Sequence, residues 1–283
     1  MKFYRMGIIF LFLLMISIGV ACAEDANQTV HDNLHASDDG VIADTSDGTY
    51  SDLSDKINSN QSSIELEKNY KFNNQTDSGK EYLNINHKTI TIDGKGKVID
   101  GNHKSGLFRI ENSSDVTLKN LIIRNCLNSS IWLSASKLTT DNVTFENNYD
   151  IGGGAALYAY GNSTYTSRGD KFLDNTATSG AAIFAHSSKV YLDNALFRNS
   201  NPVQWALIYG YSSTIDITNS IFANTTSKYA TAVYNTYNTY IKKSKFHNLC
   251  ADITAGAVAV KGNSLTDTQI IDCEFVNVTS SKN

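Results

Sequence analysis

The feature that most narrows the possible folds is a repeat of about 25 residues. Phe108, Ile131, Leu157, Ile183, Ile208, Val233 and Val258 follow one another at intervals of 23, 26, 26, 25, 25 and 25. A second series, Ile123, Phe145, Phe172, Phe197, Phe222, Phe246 and Phe275, keeps step with the first. Two residues after each of its members stands Asn125, Asn147, Asp174, Asn199, Asn224, Asn248 or Asn277. Two independent series running in phase through seven units are the mark of stacked structural repeats, each completed by its neighbours.

Within a unit the apolar residues alternate in three short runs, for example Ala182 to Ala185, Val190 to Leu192 and Ala195 to Phe197, with Ser-Ser or Asp-Asn between them. Period-2 alternation means strands, and small polar pairs mean tight turns. Three strands in 25 residues make one coil of an all-β solenoid, a parallel β-helix with about eight coils. The crossover rule for parallel strands makes it right-handed. Equivalent residues of successive coils then lie over one another about 4.8 Å apart. The Phe series becomes an internal stack. The Asn series is expected to face inward at a bend and pass its amide from coil to coil. Both ladders are read as structural.

Ahead of the repeat, Lys2 and Arg5 precede a continuous apolar run from Gly7 to Val20, and Ala21-Cys22-Ala23 is a small-x-small cleavage site. Residues 1–23 are therefore read as a signal peptide and the protein as secreted or displayed at the cell surface. An uncleaved anchor and lipidation at Cys22 are the alternatives, the second disfavoured by Gly19. Residues 24–48 are polar and aperiodic, as in a flexible linker. Tyr50, Leu53 and Ile57 then fall at i, i+3 and i+7, which predicts a short capping helix before a β-helix domain spanning 49–283. Ile64, Leu66 and Tyr70 alternate as a first strand would.

After cleavage three cysteines remain, Cys126, Cys250 and Cys273, an odd number at different phases of the repeat. They are read as small core or turn residues. The histidines are scattered, and the pair His31 and His35 sits outside any helical pattern, so neither a metal nor another cofactor is expected. A net charge of −4, with no Lys/Arg cluster, argues against a nucleic-acid partner. Asn-x-Ser/Thr triplets at Asn27, Asn60, Asn74, Asn112, Asn128, Asn142, Asn162, Asn224 and Asn277 are about as frequent as this Asn-, Ser- and Thr-rich composition would produce by chance.

Several segments resemble known families. Gly153-Gly154-Ala155-Ala156-Leu157-Tyr158 and Ser179-Gly180-Ala181-Ala182-Ile183-Phe184 are similar to the Gly-Gly-Ala-Ile repeat of polymorphic outer-membrane proteins. Phe145 with Asn148, and Phe172 with Asn175, are similar to their Phe-x-x-Asn element. Thr89-Ile90-Thr91-Ile92-Asp93-Gly94, Val98-Ile99-Asp100-Gly101-Asn102 and Val116 to Asn125 resemble the opening coils of pectin-lyase-like β-helices. With its Asn- and Tyr-rich, Pro-poor composition, the chain from about Tyr50 onward resembles the adhesin-like surface proteins of methanogenic archaea. The resemblance implies a right-handed β-helix on a cell surface. Further C-terminal domains are common in such proteins, and a chain stopping at Asn283 directly after a strand is expected to be truncated, with any membrane anchor lying in the missing part or in the signal sequence.

Alternation decides where binding could occur. If Ile131, Leu157, Ile183, Ile208 and Val233 point inward, then Trp132, Tyr158, Phe184, Tyr209 and Tyr234 point to solvent. On the same face, two residues further on, come Ser134, Tyr160, His186, Tyr211 and Thr236. This aromatic stripe is the candidate ligand-binding surface: a flat ladder of exposed rings suited to a polysaccharide or a cell-surface protein. Mutual stacking of the same rings, with no ligand, is the competing reading. A carbohydrate-active enzyme would need clustered carboxylates. The candidates are Asp141, Arg168 and Asp193, four residues before the Phe of three consecutive coils, but the phase continues as Thr218, Lys242 and Ile271 and gathers no further acid. A stalk without any ligand is the third possibility.

Overall fold

The computed structural model describes residues 47–262 and 266–281. The signal-peptide reading of 1–23 and the linker reading of 24–46 lie outside them. The chain divides after Gly40, and everything described belongs to the second unit.

That unit is an all-β parallel solenoid of about nine turns with one short helix near its N-terminal end. The count exceeds the expected eight because Ser63–Glu65 and Tyr70–Lys71 already pair with Thr89–Asp100 and build a coil beneath Leu83. Gly48, assigned to the linker from sequence, is part of this coil: its amide bonds to the Asn69 carbonyl and its own carbonyl accepts from Lys71. A 15-stranded sheet, an 8-stranded sheet and a 3-stranded sheet form the walls.

The helix Tyr50–Asn58 buries Tyr50, Leu53 and Ile57. Thr49 and Asp52 form a capping box, each accepting the other's amide. Asp77, fully buried, accepts the amides of Tyr50 and Ser51 at 3.1 and 2.9 Å. A carboxylate over unsatisfied helix N–H groups is a favourable arrangement. It ties the 73–77 loop to the cap, and the Tyr50 and Phe72 rings meet edge to face at 5.3 Å.

The two apolar series pair in register, while the three-stranded sheet shifts register between Ala177 and Ser179. Leu157, Ile183, Ile208, Val233 and Val258 lie over one another, as do Phe145, Phe172, Phe197, Phe222, Phe246 and Phe275. The six phenylalanine rings stack with centroids 4.5 to 5.2 Å apart and interplanar angles of 7° or less. All are fully buried except Phe275, on the last described coil, which is 47% exposed.

The Asn ladder departs from expectation. Asn125, Asn147, Asp174, Asn199, Asn224, Asn248 and Asn277 all have φ between 52° and 55°, the left-handed region that Asn, Asp and Gly tolerate best. Their side chains turn outward. Asn147 still donates to Asn125 at 2.7 Å, and Asn277 to Asn248 at 3.0 Å, but as a surface chain. The left-handed residue reverses the alternation, so the inward amide is the next one along. Asn148 and Asn175 are buried, and Asn175 Oδ1 accepts the Asn148 amide at 3.0 Å while Asn148 Oδ1 accepts that of Cys126 at 2.9 Å. This gives the Phe-x-x-Asn element its physical meaning. Two further bends work alike: Ser114 and Ser136 follow left-handed Ser113 and Ala135, and Ser220 and Ser244 follow left-handed Asn219 and Lys243. In each pair the later serine hydroxyl accepts the earlier amide, at 3.1 and 3.2 Å.

Removing a ring from the middle of the stack leaves a cavity that rigid flanking coils cannot fill. Phe197→Ala is expected to lower the unfolding free energy by about 3–5 kcal/mol, and half-exposed Phe275→Ala by no more than about 1 kcal/mol, in urea titrations followed by circular dichroism.

Candidate binding surface

The candidate surface is the outer side of the 8-stranded sheet. Strands Ile131–Ser134, Leu157–Tyr160, Ile183–His186, Ile208–Tyr211 and Val233–Asn235 bury their first and third residues. Their second residues, Trp132, Tyr158, Phe184, Tyr209 and Tyr234, point outward and are aligned by the register. Gly153 makes room for one of them: a Cβ there would lie 2.5 Å from the Phe184 ring. Gly154, beside it, has φ +74°, which a side chain would strain.

The rings do not lie flat on the sheet as a platform. They stand on edge and stack on one another. Trp132 to Tyr158, Tyr158 to Phe184, Phe184 to Tyr209 and Tyr209 to Tyr234 are 4.5, 4.9, 5.0 and 5.0 Å apart, with interplanar angles of 7°, 3°, 17° and 17°. A coil spacing close to a ring-stacking distance makes this the better arrangement. Arg109 continues the column, its guanidinium 5.9 Å from the Trp132 ring and 5.2 Å from that of Tyr82. The inner rings are half-buried, and solvent meets their edges. Burial raises the phenol pKa of Tyr158 and Tyr209, with smaller contributions from Asp150 and Tyr160 and from Tyr234 and Tyr211. At neutral pH these edges therefore carry neutral hydroxyls, which both donate and accept.

The neighbouring line, Ser134, Tyr160, His186 and Tyr211, is also in register. Tyr160 meets Trp132 and Tyr158 edge to face, and His186 tilts against Tyr211, which is 50% exposed. Two aromatics escaped the sequence reading. Trp205 stacks on Tyr229 at 4.2 Å and leans on Tyr234 at 4.6 Å. Their separation of 24 residues is close to the repeat period, but they lie in the irregular stretch before each regular strand.

Asp141, Arg168 and Asp193 do align on three consecutive coils. They are exposed on the outside of a sheet, between Lys119 and Thr218 of the same column. The Asp193 carboxylate already accepts from Thr218 and Asn219 at 2.9 and 2.8 Å. Pockets of about 550 and 400 Å³ lie away from them, near Lys71 and Asn102 and near Asn58 and His87. Among the described residues no group of His, Cys, Asp or Glu is placed to hold a metal ion. Cys126, Cys250 and Cys273 are free thiols.

No family model matches the chain, and no curated protein matches it. Among solved structures it is similar to L. reuteri 53608 SRRP, at 15% identity over 81% of this chain and 98% of that one, with a TM-score of 0.42. So distant a likeness carries no functional argument.

One carboxylate that belongs to no sequence motif lies inside the coil. Asp170 follows left-handed Gly169, where neighbouring coils place Val143 and Ala195. It accepts from the Val143 amide at 2.7 Å, Ser167 Oγ at 2.6 Å, Tyr165 OH at 3.4 Å and Thr140 Oγ1. Burial nevertheless pushes its pKa up to about 6, against the downward pull of those hydrogen bonds. The folded state thus holds this proton more tightly than the unfolded state, so the contribution to stability is greatest below pH 4 and is lost as pH rises through 6. Between pH 4 and pH 7 the loss is on the order of 2 kcal/mol. Urea midpoints taken across that range are expected to fall for the native chain and to flatten markedly in Asp170→Asn.

Proposed function

We propose that this chain is an exported, surface-displayed β-helix module, adhesin-like in role, that contacts a polysaccharide or a cell-surface protein through its aromatic face. The observation that carries the reading is the outward aromatic column, five rings on five successive coils, flanked by the second line at Tyr160, His186 and Tyr211. The signal-peptide-like start and the resemblance to methanogen surface proteins and pectin-lyase-like β-helices support display outside the cell and a right-handed coil. Stacking supports contact through ring edges rather than ring faces. The inner rings offer edges and hydroxyls, while their mutual packing keeps the surface rigid, so little conformational entropy is lost on binding. An enzyme reading based on Asp141, Arg168 and Asp193 has less support, since these side chains are exposed on the outer side of a sheet.

The test deletes the hydroxyls and keeps the rings. A variant combining Tyr158→Phe, Tyr160→Phe, Tyr209→Phe and Tyr211→Phe should melt within a few degrees of the native chain. Its signal on a glycan array and on intact cells should drop severalfold. Equal signals from both proteins would remove the aromatic face from the function and leave a structural stalk.

A further inference from the structure

The aromatic column stops one coil short of the sheet that bears it. Tyr234 is in register with Ala259, so the ring face turned toward the next coil meets a methyl group where every earlier ring meets another ring. Its opposite face is covered by Tyr209, 5.0 Å away. Trp205 does not cover the open face. It is 4.6 Å from Tyr234 and 6.3 Å from Tyr209, and with the 5.0 Å between those two the angle at Tyr234 is close to a right angle. Trp205 therefore stands beside the column.

A second stack ends at the same level. Tyr229 lies on Trp205 at 4.2 Å, and on the following coil the positions level with Tyr229 and Ala230 are Thr254 and Ala255. One coil thus holds two aromatic side chains whose counterparts on the next are small. The result is a step one layer deep, about 4.8 Å, with the face of Tyr234 as its wall, Ala259 as its floor and Trp205 with Tyr229 along its side. Lys228 is at its margin, its ammonium 5.3 Å from the Tyr229 ring centre. Exposed Lys261 follows Ala259 by two residues, its amide bonded to the Asn235 carbonyl.

We infer that this step is a subsite for one hexopyranose unit of a polysaccharide, which occupies the layer of the missing ring. A pyranose ring has a C–H-bearing face that stacks on the electron-rich face of an aromatic ring. Tyr234 supplies that face, the one the column leaves uncovered at this end. The lysine ammonium groups can donate to sugar hydroxyls or to a uronate carboxylate. The inference rests on the surface-module reading above and assigns the sugar-stacking contact to the column's end.

The test is to supply the missing ring. Isothermal titration calorimetry with chitohexaose, cellohexaose and hexagalacturonate should show binding of at least one by the native chain. Ala259→Tyr, which completes the column, and Tyr234→Leu, which removes the wall, should each weaken that binding at least tenfold. Ala259→Ser should stay within twofold of the native chain, and Ala259→Tyr should melt no lower than it. A preference for hexagalacturonate would support the subsite with its lysines as partners of the carboxylate. Binding unaffected by Ala259→Tyr overturns the subsite, as does failure of all three sugars. The four-hydroxyl variant separates the two ideas. If it loses cell binding while Ala259→Tyr keeps it, the aromatic surface stands and the subsite falls.

Discussion

Every part of this molecule depends on equivalent residues lying in register at the spacing of a parallel sheet. Once coils repeat at that distance, a residue type written every 25 positions becomes a continuous column. Phenylalanine columns fill the interior. Polar columns at the bends meet the requirement that buried amides find acceptors, and outward aromatic columns follow from the same rule on the other side of the wall. The energy of the fold lies mainly in contacts between coils, which is why one helix suffices to close the end that bears it.

Much of this was legible in the sequence, because periodicity is a direct record of stacking. The phases of Phe172, Phe197 and Phe222 and of Leu157, Ile183 and Ile208 specify the register, and the spacing of Tyr50, Leu53 and Ile57 shows the helix. The asparagines were found at the right positions and turned the wrong way. Alternation assumes extended backbone, and a left-handed residue breaks it, so Asn147 faces water and Asn148 faces the core. Nothing in a letter string distinguishes these two neighbours except the knowledge that the first has positive φ.

The aromatic face shows a different limit. Outward orientation could be read from phase, but ring attitude could not. Whether Tyr158 lies flat against the sheet or stands upright depends on the distance to Trp132 and Phe184, and at this coil spacing upright stacking wins. Trp205 and Tyr229 stayed hidden because they precede the regular strands, where coil lengths vary. Asp170 stayed hidden for the opposite reason: it occupies a regular inward position but is chemically unlike its column neighbours Val143 and Ala195. Its four donors come from two strands on successive coils, Lys137–Glu146 and Thr164–Arg168, which converge only after folding.

Five backbone amides at the inward bends share one direction. Asn148 serves Cys126, Asn175 serves Asn148, Asp170 serves Val143, Ser136 serves Ser114, and Ser244 serves Ser220. In every case the acceptor arrives later in the chain than the donor it satisfies. In the finished structure each of these corners is closed by the coil that follows it in the chain. A coil laid down early has orphaned amides at its corners until its successor closes over them, and each closure opens the same need one layer on. A chain emerging N-terminus first would present its capping helix first and could then wind each coil behind it, like rope coiled from a fixed end.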